Sequence, residues 1–431
     1  MLYLFRPTRR KTLSGLIATW VALGSFNITP VAADASELTL AQAEQLAQER
    51  DVMELSINAK AEALRHQSVA DGQLSDPRFK LGAVNFPVGS FTRGQEAMTQ
   101  LQFGVQQTFP RGHTLRYSRN RTSALAGVEN ARAAERSLSV LRSVRKAYLE
   151  LYFQLQNEKI LAEHERLFTR LLDITQRQYA VGRDNQHDVL LAQLELSLLQ
   201  DRRAENSGLK EAAVAQLAKW VGAQYTGRPL PDRQPVLPAL PTLDEIIADL
   251  YRHPLILAHD HMIDASRYQV AIAEEQYKPG WTVDVTYSER TGSDLQESGR
   301  DDFLSAMVLV DVPLFTRQRQ DKRVLAGQQR HLAAKFARTD ELRELARQAG
   351  RIYASWKQLG ERYSLYEAHT IIEAQQNAET TLKAYQNDVA DFTTLMRARL
   401  LELNTRLSML RLYVERAKVQ SDLLYFVGDA R

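Results

Sequence analysis

From residue 116 to 180 the chain contains no proline and one glycine, and its apolar positions recur at alternating steps of three and four: Leu141, Val144, Tyr148, Leu151 and Leu155. Residues 317 to 386 follow the same rule, again without proline, through Ile352, Trp356, Leu359, Tyr363 and Tyr366. This spacing predicts two long helices, 116–181 and 317–386, with coiled-coil seams, each about 100 Å long at roughly 1.5 Å per residue. Met396, Leu400, Leu403, Leu407, Leu410 and Val414 continue the pattern in a returning helix over 391–427, and 186–221 forms its counterpart in the first half. The aromatic members of these stripes read as core seam rather than as a cofactor site.

A second periodicity marks strands. Trp281, Val283, Val285 and Tyr287 alternate with Thr282, Asp284, Thr286 and Ser288, and Leu101, Phe103 and Val105 alternate with Gln102, Gly104 and Gln106. Strands are expected at 79–88, 98–109, 281–289 and 303–315, each pair joined by a polar loop, GSFTRGQEA or RTGSDLQESGRDD. Alternation alone fits any half-buried strand; the length and the aromatic ends favour a transmembrane barrel. Four strands cannot close, and an open edge in lipid leaves backbone groups unpaired at several kcal/mol each. Closure therefore calls for further copies, and three chains would supply about 12 strands.

The two halves match in order. Thr39-Leu40 answers to Thr242-Leu243, Pro77 and Phe79 to Pro279 and Trp281, Leu125-Ala126-Gly127 to Leu325-Ala326-Gly327, and Ala133-Ala134 to Ala333-Ala334. Tyr148 pairs with Tyr353, Tyr179 with Tyr385, and Trp220-Val221-Gly222 with Phe426-Val427-Gly428, at offsets between 200 and 206. The expected organisation is a first repeat over 34–222, a connector over 223–242 holding five of the 13 prolines, and a second repeat over 243–431. Each repeat opens with a helix before its strands.

Composition then narrows the compartment. Residues 1–33 run from a basic start (Arg6, Arg9, Arg10, Lys11) through TLSGLIATWVALGSF to Val31-Ala32-Ala33, the pattern of a cleaved signal peptide. Its removal takes four basic residues and turns the formal net charge of +3 into −1, which withdraws the main support for a nucleic-acid partner. The chain has no cysteine, which excludes disulfides, thiolate metal sites and a lipid anchor on an N-terminal cysteine. After the leader no apolar run of about 18 residues offers a membrane-spanning helix.

The duplicated plan of helix, strand pair, long helix, tip and helix resembles the TolC-like outer membrane efflux family over essentially the whole mature chain. The residues that carry the resemblance are the two Thr-Leu openings, Tyr148 and Tyr353, the tip Tyr179-Ala180-Val181-Gly182, and the endings Trp220-Val221-Gly222 and Phe426-Val427-Gly428. It implies a mainly α fold with a small transmembrane β part: a homotrimer whose 12-stranded barrel sits in outer membrane lipid and continues as a periplasmic α-helical coiled-coil barrel. It further implies a periplasmic membrane fusion (adaptor) protein and an inner-membrane pump of the resistance-nodulation-division (RND) type as partners, with no catalysis and no cofactor. A narrower likeness to the CzcC/CusC-like heavy-metal branch lies in Asp76-Pro77, Asn85-Phe86-Pro87-Val88, Met98-Thr99 and Phe109-Pro110-Arg111-Gly112. Many members of that branch are lipidated on an N-terminal cysteine, which this chain lacks.

The polar breaks QYAVGRDNQHDVL and AYQNDVADFTTLM bear on the chemistry. Asp184, His187 and Asp188 suggest a hydrolytic site, but the nearby hydroxyls are Thr175 and Tyr179, with no base-activated nucleophile and no pocket. As helix ends, Gly182 supplies a left-handed turn, and Asp184 or Asn185 the next N-cap. The resemblance makes these breaks adaptor-contact tips, with Tyr179, Val181, Gly182, Arg183, Tyr385, Asn387, Asp388 and Val389 at the contact. Asp388 stands where the first tip has glycine, so the second turn is either built differently or accepts an aspartate at positive φ. Acidic residues at the family's closed entrance fall at Thr394 and Arg397 here, which leaves Asp184, Asp188, Asp388 and Asp391 as entrance candidates. His259 and His261, two apart on a helix, point about 200° from one another and read as polar helix surface, so no metal site is expected. The competing class is a soluble periplasmic coiled-coil scaffold or adaptor, and drugs are the competing cargo.

Overall fold

A computed structural model describes residues 37–182, 185–292 and 299–428; the expected leader lies outside the described residues. The first half contains α1 (Leu40–Glu49), α2 (Val52–Asp71), β1 (Arg78–Val84), β2 (Gln100–Phe109), α3 (Thr114–Ala180) and α4 (Gln186–Val221). The second contains α5 (Leu243–Asp249), α6 (Pro254–Glu275), β3 (Gly280–Arg290), β4 (Phe303–Asp311), α7 (Gln320–Leu365), α8 (Ile371–Gln386) and α9 (Phe392–Val427). A π-helical segment, Tyr366–Thr370, joins α7 to α8. Among the described residues no helix is long and apolar enough to cross a membrane.

The Thr-Leu pairs that open the two halves have the same physical task. Thr39 Oγ1 accepts the Gln42 N–H while Gln42 Oε1 accepts the Thr39 N–H, and Thr242 exchanges the same two bonds with Glu245. Each is a capping box that satisfies the donors left free at a helix start. Two boundaries differ from the sequence expectation for a backbone reason. β1 stops at Val84 rather than reaching 88, because Asn85 takes φ 56° and Pro87 follows. β4 stops at Asp311, short of 315, because Pro313 has no N–H to give a ladder.

The core lies where α3, α4 and α9 meet. Val140, Val144, Tyr148 and Leu151 of α3 pack with Ala213, Leu217 and Val221 of α4 and with Val414, Ala417 and Leu424 of α9. Farther along the rods, Leu161, Phe168 and Leu171 meet Leu199 of α4 and Phe392, Leu395 and Leu403 of α9. Fully burying a side chain of this size contributes about 1.5–3 kcal/mol. The proline-rich connector is drawn into this packing. Leu237 is buried there, and the carbonyls of Asp232, Pro235 and Pro238 accept from Tyr152, Tyr413 and Gln420. Pro235 and Pro238 have no N–H to satisfy, so donors to their carbonyls suffice.

α6 packs against both α3 and α7. A Cβ added at Gly127 would lie 2.7 Å from His261 Nδ1, so His261 fills the space left by a glycine and is not merely polar surface. Gly327 meets Val270 instead. Gly127 thus faces a helix of the other half and Gly327 a helix of its own half, so the Leu-Ala-Gly pair at offset 200 marks different environments despite its collinear place in sequence.

Candidate functional site: the sheet and the helix tips

β1, β2, β3 and β4 form one antiparallel sheet in that order, with β2 and β3 joining the two halves. Residues directly opposite in a ladder point to the same side. Phe79 and Leu81, Leu101, Phe103, Val105 and Phe109, Trp281, Val283, Val285 and Tyr287, and Leu304, Val308 and Val310 therefore share one face. Nearly all of this face is apolar, and Leu81 is 81% and Phe79 78% exposed. Each outer strand, β1 and β4, has one partner among the described residues.

The opposite face is mostly polar and is organised around Asp284. Its carboxylate accepts from Lys80 Nζ, from Thr286 Oγ1 at 2.9 Å and from Gln106 Nε2 at 3.4 Å. Lys80 lies on β1 and Asp284 on β3, so the lysine must cross β2. It crosses at Gly104, where an added Cβ would fall 2.9 Å from Lys80 Cε and 2.7 Å from Thr286 Oγ1. Glycine within a strand marks such close approaches, and this was the available signal for a network that joins residues 204 positions apart.

The motifs behind the narrower heavy-metal likeness build local structure here. Asn85 ends β1 at positive φ, its Nδ2 donates to the Met98 carbonyl, and Thr99 Oγ1 donates to the Asn85 carbonyl. Arg111 Nη1 donates to the Gln276 carbonyl, and Gly112, at φ 49°, leaves room for Glu275. The Glu275 carboxylate accepts from the His113 N–H and pairs with Lys278. Burial alone would raise its pKa, but these donors outweigh burial and hold it below the usual carboxylate value. Among the described residues no group of three or more His, Asp or Glu could hold a metal ion.

The two tips turn by the same geometry with different residues. Gly182 takes φ 74° after α3, and Asp388 takes φ 57° after α8. At the second tip the Val389 N–H reaches the Ala384 carbonyl and the Asp388 N–H the Tyr385 carbonyl, which closes a Schellman turn. Asn387 Nδ2 adds a bond to the Lys383 carbonyl. Tyr385 is buried against Phe392, and its hydroxyl donates to Gln178 Oε1 at 2.6 Å, tying α8 to α3. Val389 is 80% and Val181 71% exposed, and Tyr179 is about half exposed.

The acidic candidates are dispersed among structural tasks. Asp391 is the N-cap of α9, and its carboxyl is held below the usual range by the Thr394 hydroxyl and then by the Thr394 N–H. Asp188 sits half-buried in the first turn of α4, and Asn185 takes the N-cap position without a side-chain bond to the helix. Arg183 and Asp184 lie outside the described residues. Thr175 is buried with its hydroxyl donating to the Leu171 carbonyl, and His187 is exposed, so this cluster presents no activated nucleophile.

The chain thus joins an antiparallel sheet with one apolar face to helices of up to 67 residues. Comparisons with known proteins place the fold more closely. The outer membrane protein VceC of Vibrio cholerae aligns with a TM-score of 0.73 at 17% identity, covering 90% of this chain and 96% of VceC. CusC, a protein described by its transmembrane channel formation, aligns with a TM-score of 0.74 at 14% identity, covering 91% of this chain and 92% of CusC. The alkaline protease secretion protein AprF of Pseudomonas aeruginosa is 23% identical over 274 residues, or 61% of this chain. That match spans 56% of AprF, less than two thirds of its length. No protein-family model matches the chain. The chain has the fold of the TolC-like outer membrane channels.

Proposed function

We propose that the protein is the outer-membrane channel of an export system and not an enzyme. Three copies join β4 of one to β1 of the next, closing a 12-stranded barrel in outer membrane lipid, and the rods continue it as a periplasmic tube. The observation that carries this reading is the sheet: one apolar face and two edges unpaired among the described residues, in a chain whose helices run for about 100 Å. The parallel order of elements in the two halves supports a duplicated unit, with repeats over 34–222 and 243–431 meeting at the connector 223–242. A leader over 1–33 would deliver the chain to the periplasm.

The exposed tips, with Tyr179, Val181 and Val389 outermost, suit a periplasmic adaptor protein, which in turn would engage an inner-membrane pump. Heavy-metal cations and drugs both remain cargo readings for an RND-type pump. A secretion role is a second reading, favoured by the similarity to AprF. Extraction tests the channel itself: a heat-stable trimer recovered from outer membranes only with detergent is expected, and a monomer soluble in aqueous buffer would overturn it in favour of a periplasmic scaffold. A deletion strain then sorts the cargo by what it loses, metal tolerance, drug tolerance or secreted protein.

A further inference from the structure

Between their ends, the four strands carry only two formal charges on the polar face. The ladder places Lys80, Gly82, Gln102, Gly104, Gln106, Thr282, Asp284, Thr286, Ser305 and Met307 on that side, with Arg78, Arg290 and Asp311 at strand ends. The two central charges are opposite in sign and in contact. Gln106 and Thr286 fill the remaining acceptor sites of Asp284, and Gly104 is the gap that lets Lys80 reach it. Phe303, Met307 and Leu309 add apolar surface to the same face of β4.

We propose that the Lys80–Asp284 pair, laid across Gly104, keeps the central band of the barrel lumen neutral, so that this band does not sort cargo by the sign of its charge. This rests on the channel reading, which makes the polar face the lumenal one. A cation-conducting wall needs uncompensated carboxylates, whose field raises the local concentration of counter-ions. Here the central carboxylate is compensated at contact distance within each chain, once per copy of the sheet. The central band then passes anionic, cationic and neutral solutes alike, and the apolar β4 residues give organic cargo a surface to slide along.

The test is ion selectivity of the purified full-length protein in planar bilayers, read as the reversal potential under a potassium chloride gradient. The wild-type value is the reference for the variants. Asp284→Asn exposes Lys80 and shifts the potential toward anion selectivity, Lys80→Gln exposes Asp284 and shifts it toward cations, and the double variant returns to the wild-type value. Should Asp284→Asn fail to assemble as a heat-stable trimer, Lys80→Gln against the double variant still gives the comparison. Conductance with the same reversal potential in all variants overturns the neutral-pair proposal alone. Loss of all conductance in a correctly assembled wild type overturns the channel reading beneath it.

Discussion

The two long rods occupy corresponding places in the two halves and are built differently. α3 is one unbroken α-helix of 67 residues, whereas the stretch from Gln320 to Gln386 runs as 46 α-helical, 5 π-helical and 16 α-helical residues. The sequence offset between the halves rises by one across the interruption. Tyr148 and Tyr353 are 205 apart and Tyr179 and Tyr385 are 206 apart, and the π segment lies between Tyr353 and Tyr385. A π-bulge is how an α-helix absorbs a single extra residue without rotating everything beyond it. The Ile371 N–H bonding back to the Tyr366 carbonyl marks the place. On both sides of it the rod keeps a face on α9, with Tyr363 packed on Tyr413 before and Tyr385 on Phe392 after. The odd residue is thus tolerated in the second rod because its seam is kept.

Deletions would break this comparison most sharply. Removing the exposed Arg166 from α3 turns Phe168, Leu171 and Thr175 through about 100° relative to the residues before them, and the lost burial is large enough to prevent stable folding. Removing Glu367 should convert the π segment to regular α-helix at a cost of about 1 kcal/mol or less. Denaturation of the purified proteins reads both; equal loss in the two deletions would show that the π segment is not the absorbed residue.

The N-caps of α2 and α6 differ in the same sense. Asp51 accepts the Glu54 N–H, and its carboxylate is held low first by bonding to Arg136, whose Nε and Nη2 both reach it. His253 caps α6 through Nδ1, which accepts the Leu255 N–H, while Nε2 faces the Tyr425 carbonyl. Burial pushes the His253 pKa down from 6.5 to about 4. Its unfolded form binds a proton before its folded form does, so its contribution to stability falls as pH drops from about 6.5 toward about 4. The Asp51 contribution persists through that window and is lost only below the ordinary aspartate value, as pH falls through its lowered pKa. His253→Asn keeps a capping oxygen and should flatten the melting-temperature profile over the upper window, leaving the lower one unchanged. An unaltered profile would remove His253 as its cause.

The smallest effect lies at the tips. Asp388→Gly should stabilise by up to about 1 kcal/mol, since glycine meets no steric penalty at positive φ, and Gly182→Asp should cost a similar amount. Opposite signs in urea denaturation sharpen the comparison, and equal signs would place the difference elsewhere than in the backbone.

Much of this architecture was readable as periodicity. Three-four spacing marked the rods, and strict alternation from Trp281 to Tyr287 marked β3, because both patterns follow from which face is buried. What escaped depends on contacts between distant residues. Nothing local to Lys80 announces Asp284, and His261 reads as surface until Gly127 is placed beneath it. The Leu-Ala-Gly pairing likewise does not say which helix a glycine will face: Gly127 meets His261 and Gly327 meets Val270. At the tip, sequence left two alternatives for Asp388, and the backbone chose the aspartate at positive φ.

The outer strands, each with one partner among the described residues, bear on how the protein is made. On the trimeric reading, a newly exported chain carries two sticky margins and a greasy face before any partner arrives, and its assembly requires three such chains to meet. Formation would then rise steeply with precursor abundance, and at low expression each chain would spend longer exposed to proteases and to mispairing. A modest change in dosage would alter the number of finished pores more than proportionally.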